Sequence, residues 1–219
     1  MEPTTLTTRR LLLRPFGPQD TYKVHAACQD PDIQRWTVIP SPYRLTDAEL
    51  FTARLAPAGW RDDSAYSFAL VLPESGTLVG ALSLDRRSRP GTYEVGYWSS
   101  REHRNRGYVT EAVLGSARWA FTALGADRLE WRAEIGNVAS RAVALRAGFR
   151  LEGEQRSGLL NKGVRRDAWT AALLPSDLGL PGTHPYLPER HGAAPDSARL
   201  GGRRCSLPDC QWRGLGFDV

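Results

Sequence analysis

The chain has little sulfur, almost no lysine and no long apolar run, and each shortage removes a class of protein. Cys28, Cys205 and Cys210 are too few and too unevenly spaced for a disulfide framework, so a reduced, cytoplasmic setting is expected. Cys205 and Cys210, with His184 and His191 upstream, fit no usual zinc spacing, and no metal is expected. No apolar stretch approaches the ~20 residues of a membrane helix. Met1-Glu2-Pro3-Thr4 has neither the basic nor the apolar part of a secretory leader, so no membrane partner is predicted. Lysine occurs only as Lys23 and Lys162, so the net charge of +5 is almost wholly arginine. Those arginines scatter instead of forming a stripe, which makes a nucleic-acid surface a poor reading and leaves an anionic ligand open.

What is present suits one globular domain with a tail, since 41% of the 219 residues are hydrophobic and 24% charged. Arg9 to Phe16 reads as a first strand, and Asp20 to Gln29 as a helix stopped by Asp30-Pro31-Asp32. Thr46, with Glu49 at capping-box spacing, opens a second helix that ends near Ala58. Three strands follow, at 65–72, 78–85 and 92–99, joined by turn-rich segments. Thr110 to Leu124 then repeats apolar residues at helical spacing up to Gly125. A strand at 128–134, a short helix from Asn137 to Gly148 and strands at 149–153 and 167–174 complete the pattern. This is an α/β (α+β) arrangement: a mixed, mostly antiparallel central sheet flanked by helices. The expected domain is 8–175, and the Pro/Gly/Arg-rich 176–219 is expected to be a disordered extension.

The most informative segment is Arg104-Asn105-Arg106-Gly107-Tyr108-Val109-Thr110-Glu111-Ala112, a basic glycine turn between a strand and a helix. Free N–H groups and the macrodipole at a helix start favour a phosphate there, and a pyrophosphate best of all. Asn137 and Ser140 lie thirty residues on, after the next strand, where Asn137 caps a helix and offers an amide to a ligand.

With these segments, Arg10-Leu-Leu-Leu-Arg14-Pro15, Leu78-Val-Gly80-Ala-Leu82, Glu94-Val-Gly96-Tyr97-Trp98 and Gly148-Phe149-x-x-Glu152-Gly153 complete a pattern. In type and spacing it resembles the GCN5-related N-acetyltransferase (GNAT) superfamily, and within it the RimJ/RimL-like ribosomal-protein N-terminal acetyltransferases. The resemblance implies a splayed sheet that takes acetyl-CoA as co-substrate in the gap. Trp98 and Ser99 would offer backbone groups to the pantetheine arm, a form of strand addition. Arg104, Asn105, Arg106, Gly107, Tyr108, Val109 and Thr110 would hold the pyrophosphate, with Asn137 and Ser140 also on the cofactor. Val109 stands where relatives have Gly or Ala, a departure that loosens the loop.

For catalysis the resemblance implies Glu94 as base or amine-binding carboxylate, the alternative being a structural carboxylate paired with arginine. The tyrosine with which many relatives protonate the thiolate is replaced by Ala144, which leaves Ser140, either as acid or only as a cofactor ligand. Glu111 is expected to steady the helix start by pairing with an arginine, and Cys28 to be a small buried residue. The expected acceptor is a primary amine, a protein or peptide N-terminus first, with a small molecule such as an aminoglycoside, polyamine or amino acid as the alternative. A non-catalytic acyl-CoA-binding module is the alternative of another class. Monomer and homodimer both stay open, as does the acceptor groove, placed in 30–60 and 154–166.

Overall fold

A computed structural model describes residues 1–188, and eight strands and six α-helices carry these described residues. β1 (Leu6–Thr7) and β2 (Leu12–Pro15) form a first antiparallel pair. α1 (Thr21–Ala27) and α2 (Pro31–Trp36) follow, and the Asp30 carboxylate caps α2 through the Asp32 N–H at 2.8 Å. α3 (Leu45–Leu50) passes through one π turn (Phe51–Leu55) into α4 (Ala56–Arg61). The box that opens α3 differs from the expected one, because Asp47 accepts the Arg44 N–H at 2.8 Å and Thr46 is already inside the helix. An acid at the third helical position satisfies the cap wherever the chain bends, and that bend comes earlier than the Thr46/Glu49 spacing predicts.

β3 (Ala65–Val71), β4 (Leu78–Arg86) and β5 (Thr92–Ser99) form an antiparallel meander. α5 (Tyr108–Ala123) crosses to β6 (Arg128–Glu134), which is parallel to β5. α6 (Val138–Arg146) leads to β7 (Arg150–Asn161) and β8 (Val164–Leu173), a long antiparallel hairpin where two shorter strands were expected. The sheet order is β1-β2-β3-β4-β5-β6-β8-β7.

One register decides the rest. β5 pairs with β4 along its length, from Tyr93↔Arg86 to Ser99↔Gly80, and β6 pairs with β8 from Leu129 to Glu134. Between β5 and β6, however, only Thr92–Glu94 meet Arg128–Glu130. Beyond Glu94 the two strands diverge, and the β6-facing backbone groups of Val95–Ser99 receive no partner from β6. The parallel sheet is therefore split from one end.

Two cores hold this shape. α5 lays Val113, Ala117, Ala120 and Phe121 on one face of the sheet, where Trp60, Tyr66, Phe68 and Trp119 pack as edge-to-face and tilted rings. On the other face Phe16, Val24, Cys28, Ile33 and Ala48 pack against Ala69, Val71 and Ala81, with Trp98 at the edge. Met1–Pro185 form a compact unit, so the first residues of the expected tail belong to it. Pro175–Leu178 make a 3-10 turn, and the backbone N–H groups of Thr183 and His184 both donate to Asp127 Oδ1 at 3.1 Å. His191, Cys205 and Cys210 lie outside the described residues. Among the described residues no group of His, Cys, Asp or Glu is placed to hold a metal, and no helix is long and apolar enough to cross a membrane.

Candidate active site

The glycine turn lies between β5 and α5, as the sequence puts it, after a 3-10 turn at Arg101–His103. Asn105 and Gly107 both take positive φ, 60° and 74°, which folds the loop back so that Gly107 opens α5. The need at Gly107 is conformational: a Cβ there would meet nothing closer than Arg10 Nη2 at 3.5 Å, but few side chains adopt that φ. The first helical bond runs from Glu111 N–H to the Gly107 carbonyl at 3.0 Å. Tyr108, Val109 and Thr110 precede it, so their N–H groups have no intrahelical acceptor and face out of the helix end. Val109 and Thr110 are half-buried, and the valine leaves its own N–H free for a phosphate.

The loop is braced from the N-terminal strands. Glu111 accepts from Thr8 Oγ1, the Arg10 N–H and Arg10 Nε, each at 2.7 Å. Burial alone would raise the Glu111 pKa, but these bonds outweigh it and hold the carboxyl below its usual value. Arg10 also donates to the Arg106 carbonyl at 3.0 Å and lies over the Tyr108 ring. Arg104 differs from the expectation for a free phosphate ligand, because its guanidinium is held by Asp30 at 2.8 Å and Asp32 at 2.9 Å. It ties the turn to the start of α2.

The second half of the site lies across the split. Asn137 caps α6, its Oδ1 accepting from the Ser140 N–H at 3.2 Å. Ser140 Oγ accepts from Trp131 Nε1 at 3.0 Å and donates to the Tyr97 phenol at 3.2 Å, and that phenol donates to the Ser140 carbonyl at 2.9 Å. β5 and α6 are thus joined by a pair of hydroxyls. Burial drives the Tyr97 pKa well above its ordinary value, so the phenol keeps its proton as a donor. Tyr97 was legible only as one letter of the Glu94–Trp98 motif; its hydroxyl partner depends on how β5 and α6 meet. Ala144 is buried in the core and brings no hydroxyl to the split.

Glu94 sits at the closed end of the split, opposite Glu130. Arg132 reaches its Oε2 at 2.7 and 2.9 Å and Arg87 reaches the same oxygen at 3.1 Å. At the open end, Glu134 is bound bidentately by Arg35 at 2.8 and 2.6 Å, which holds its carboxyl below the usual value. Glu94 and Glu134, at the two ends of the split, are therefore both in ion pairs. Trp98 packs on the second core and its carbonyl faces Gly80 so closely that a Cβ there would lie 2.4 Å from it, which explains the glycine in Leu78-Val-Gly80. Cys28 is buried and its thiol is pushed up to about 12, so it is no nucleophile.

A parallel strand pair split after three residue pairs, with a glycine-opened helix at its mouth, agrees with the match of residues 10–150 to the family described as "Acetyltransferase (GNAT) domain". The chain belongs to the GNAT acetyltransferase family. Its GNAT fold is similar to that of Mycobacterium smegmatis RimJ in complex with CoA-disulfide, with a TM-score of 0.73, 23% identity and coverage of 82% of this chain and 92% of that one. It is also similar to a "putative ribosomal-protein-serine acetyltransferase" from Vibrio cholerae, with a TM-score of 0.71, 25% identity and coverage of 78% and 98%. A curated relative, "Putative ribosomal N-acetyltransferase YdaF" of Bacillus subtilis (strain 168), is 37% identical over 102 residues, 45% of this chain. That match spans about half of YdaF, 55% of its length. GNAT acetyltransferases draw on acetyl-CoA, and the split and glycine turn of this chain fit that co-substrate: unpaired strand groups for an extended amide arm, free N–H groups for a pyrophosphate.

Proposed function

We propose that this protein transfers the acetyl group of acetyl-CoA to the α-amine of a protein N-terminus, and that ribosomal proteins are the acceptor class. The names of YdaF and of the Vibrio cholerae protein support the ribosomal class. The α-amine rests on the chemistry of the site. An amine must be neutral to attack a thioester, and a lysine or polyamine amine of pKa ~10.4 needs a strong base, whereas an α-amine of pKa about 7.8 is partly neutral already. Glu94 and Glu134, at the two ends of the split, are both engaged by arginines. A site so arranged suits the acceptor that needs least help, its proton leaving to water.

Acetyl-CoA supplies an activated acyl group and a thiolate leaving group. On the protein side, Tyr108, Val109 and Thr110 N–H groups hold the pyrophosphate, Val95–Ser99 align the extended arm, and Ser140 gives its hydroxyl proton to the departing sulfur. The Tyr97 phenol, which accepts from Ser140 Oγ and donates to the Ser140 carbonyl, turns its own proton to Ser140 Oγ to replace the one given to sulfur. Glu94 serves this reading as the ion-paired brace between β5 and β6.

The test is free-thiol release from acetyl-CoA with N-terminal peptides, polyamines and aminoglycosides in parallel. Peptide-dependent turnover that stops when the N-terminus is blocked supports the proposal. Turnover with small amines alone would replace the acceptor class. Tight coenzyme binding with no turnover above blank hydrolysis would replace the enzyme by a binding module.

A further inference from the structure

α2 lies across the mouth of the split. Its first turn is fastened to the glycine turn by Arg104, and its last turn to the end of β6 by the Arg35–Glu134 pair. Trp36 lies against the turn after β6, 3.7 Å from where a Cβ would stand on Gly136. The tip of the β7–β8 hairpin closes on the same helix end. Lys162 Nζ donates to the carbonyls of Gln34 and of Thr37, the latter at 2.9 Å, and Asn161 Nδ2 approaches the Arg35 carbonyl at 3.5 Å.

Between helix and hairpin lies a cavity of about 320 Å³ whose walls include Arg35, Lys162, Arg166, Asn161, Gln34 and Ser41. Its charge is one-sided. The charged residues that line it are Arg35, Lys162 and Arg166, and no acid lines it. Glu134 is the nearby carboxylate, but it is bound bidentately by Arg35 and stands 3.8 Å from Arg166. The hydrogen bonds of Lys162 go to neutral carbonyls, and partial desolvation and the nearby Arg35 charge both press its pKa downward. Asn161 Oδ1 is buried with no hydrogen-bond partner, an acceptor still wanting an N–H.

We propose that this cavity recognises an acidic side chain close behind the acceptor's N-terminus, a reading that rests on the α-amine acceptor. The carboxylate sits between Arg166 and Lys162, and a backbone N–H of the incoming peptide satisfies Asn161 Oδ1. A charge-assisted contact of this kind favours the acidic peptide by about tenfold or more.

Peptides identical except for Asp, Asn or Lys at each of positions 2 to 4 test this on the full chain with saturating acetyl-CoA. The acidic peptide is expected to lead by about tenfold in kcat/KM, the gain to lie in KM, and the lead to shrink in high salt. Arg166→Glu is expected to invert the ranking toward the lysine peptide, and Arg166→Gln to flatten it. Equal kcat/KM for the Asp and Asn peptides, or a ranking that survives Arg166→Glu, overturns the proposal. If no peptide turns over while coenzyme A still binds, the α-amine reading has failed instead. The pocket is then tested by binding of the N-acetylated acidic peptide to the coenzyme-loaded protein. Binding that Arg166→Glu weakens about tenfold upholds the pocket, and equal affinity for both proteins overturns it.

Discussion

Ser140 occupies the most consequential position in the chain, because its hydroxyl sits on the cap turn of α6 and against a phenol from β5. A thiolate leaves without much assistance, so its proton donor contributes toward the low end of what acid catalysis supplies. Ser140→Ala is expected to lower kcat about 100-fold, and Tyr97→Phe by less, while coenzyme affinity moves little; single-turnover rates and coenzyme titration check this. An equal fall in affinity would make Ser140 a cofactor ligand only. Glu94 is expected to behave differently. Glu94→Gln leaves Arg87 and Arg132 without their carboxylate and is expected to cost about 1–3 kcal/mol of stability, read by denaturant unfolding. A kcat loss of several hundredfold in the still-folded variant would restore Glu94 as a base.

The same scale sets the response to pH. With no free base assigned, kcat/KM is expected to rise with pH and level off near the acceptor amine's own pKa, about 8. Stability responds on the acid side. Glu111 and Glu134 have folded pKa values below their unfolded ones, so their contribution is complete above the unfolded value of about 4.3 and is lost as pH falls through the lowered folded values. Unfolding free energies of the wild type and Glu111→Gln, measured by denaturant across pH, should converge at low pH.

Among the elements, α2 has six residues and holds its place through bonds to the glycine turn, β6 and the hairpin. Asp30→Asn/Asp32→Asn removes both charges that hold Arg104 and keeps the cap, since asparagine caps as well as aspartate. The double variant is expected to raise the acceptor KM several-fold without weakening coenzyme binding. Coenzyme binding weakened to the same degree would make the clamp part of the cofactor site. This arrangement could not be read from the sequence: Asp30-Pro31-Asp32 shows a helix boundary, and nothing local says that an arginine more than seventy residues away closes on it. The hairpin is another such case. Its residues are mostly exposed and lack clean alternation, so periodicity predicted two short strands where one long pair extends over α2.

For the whole molecule, the split sheet is covered on its two faces by the two cores. Trp60 is buried in the ring cluster beside β3 and α5, and its indole N–H donates to the Ser67 carbonyl at 3.2 Å. Trp60→Ala is expected to cost about 3–5 kcal/mol and to lower Tm by about 10 °C or more, far more than any surface change in the hairpin. Calorimetry measures it directly.

What the amino-acid order determined alone was whatever is written within a few residues: the glycine turn after β5, the cap at Asn137, the periodicity of α5 and the family pattern that joins them. Such features depend on local φ preferences and on side chains reaching their own backbone. The tertiary structure decided the partners. It gave Arg104 to α2, Glu94 to two arginines, Ser140 to Tyr97 and the basic hairpin to a cavity beside α2. Each of those joins residues distant in the chain, and which charge meets which is settled only when the sheet has set the strands in register.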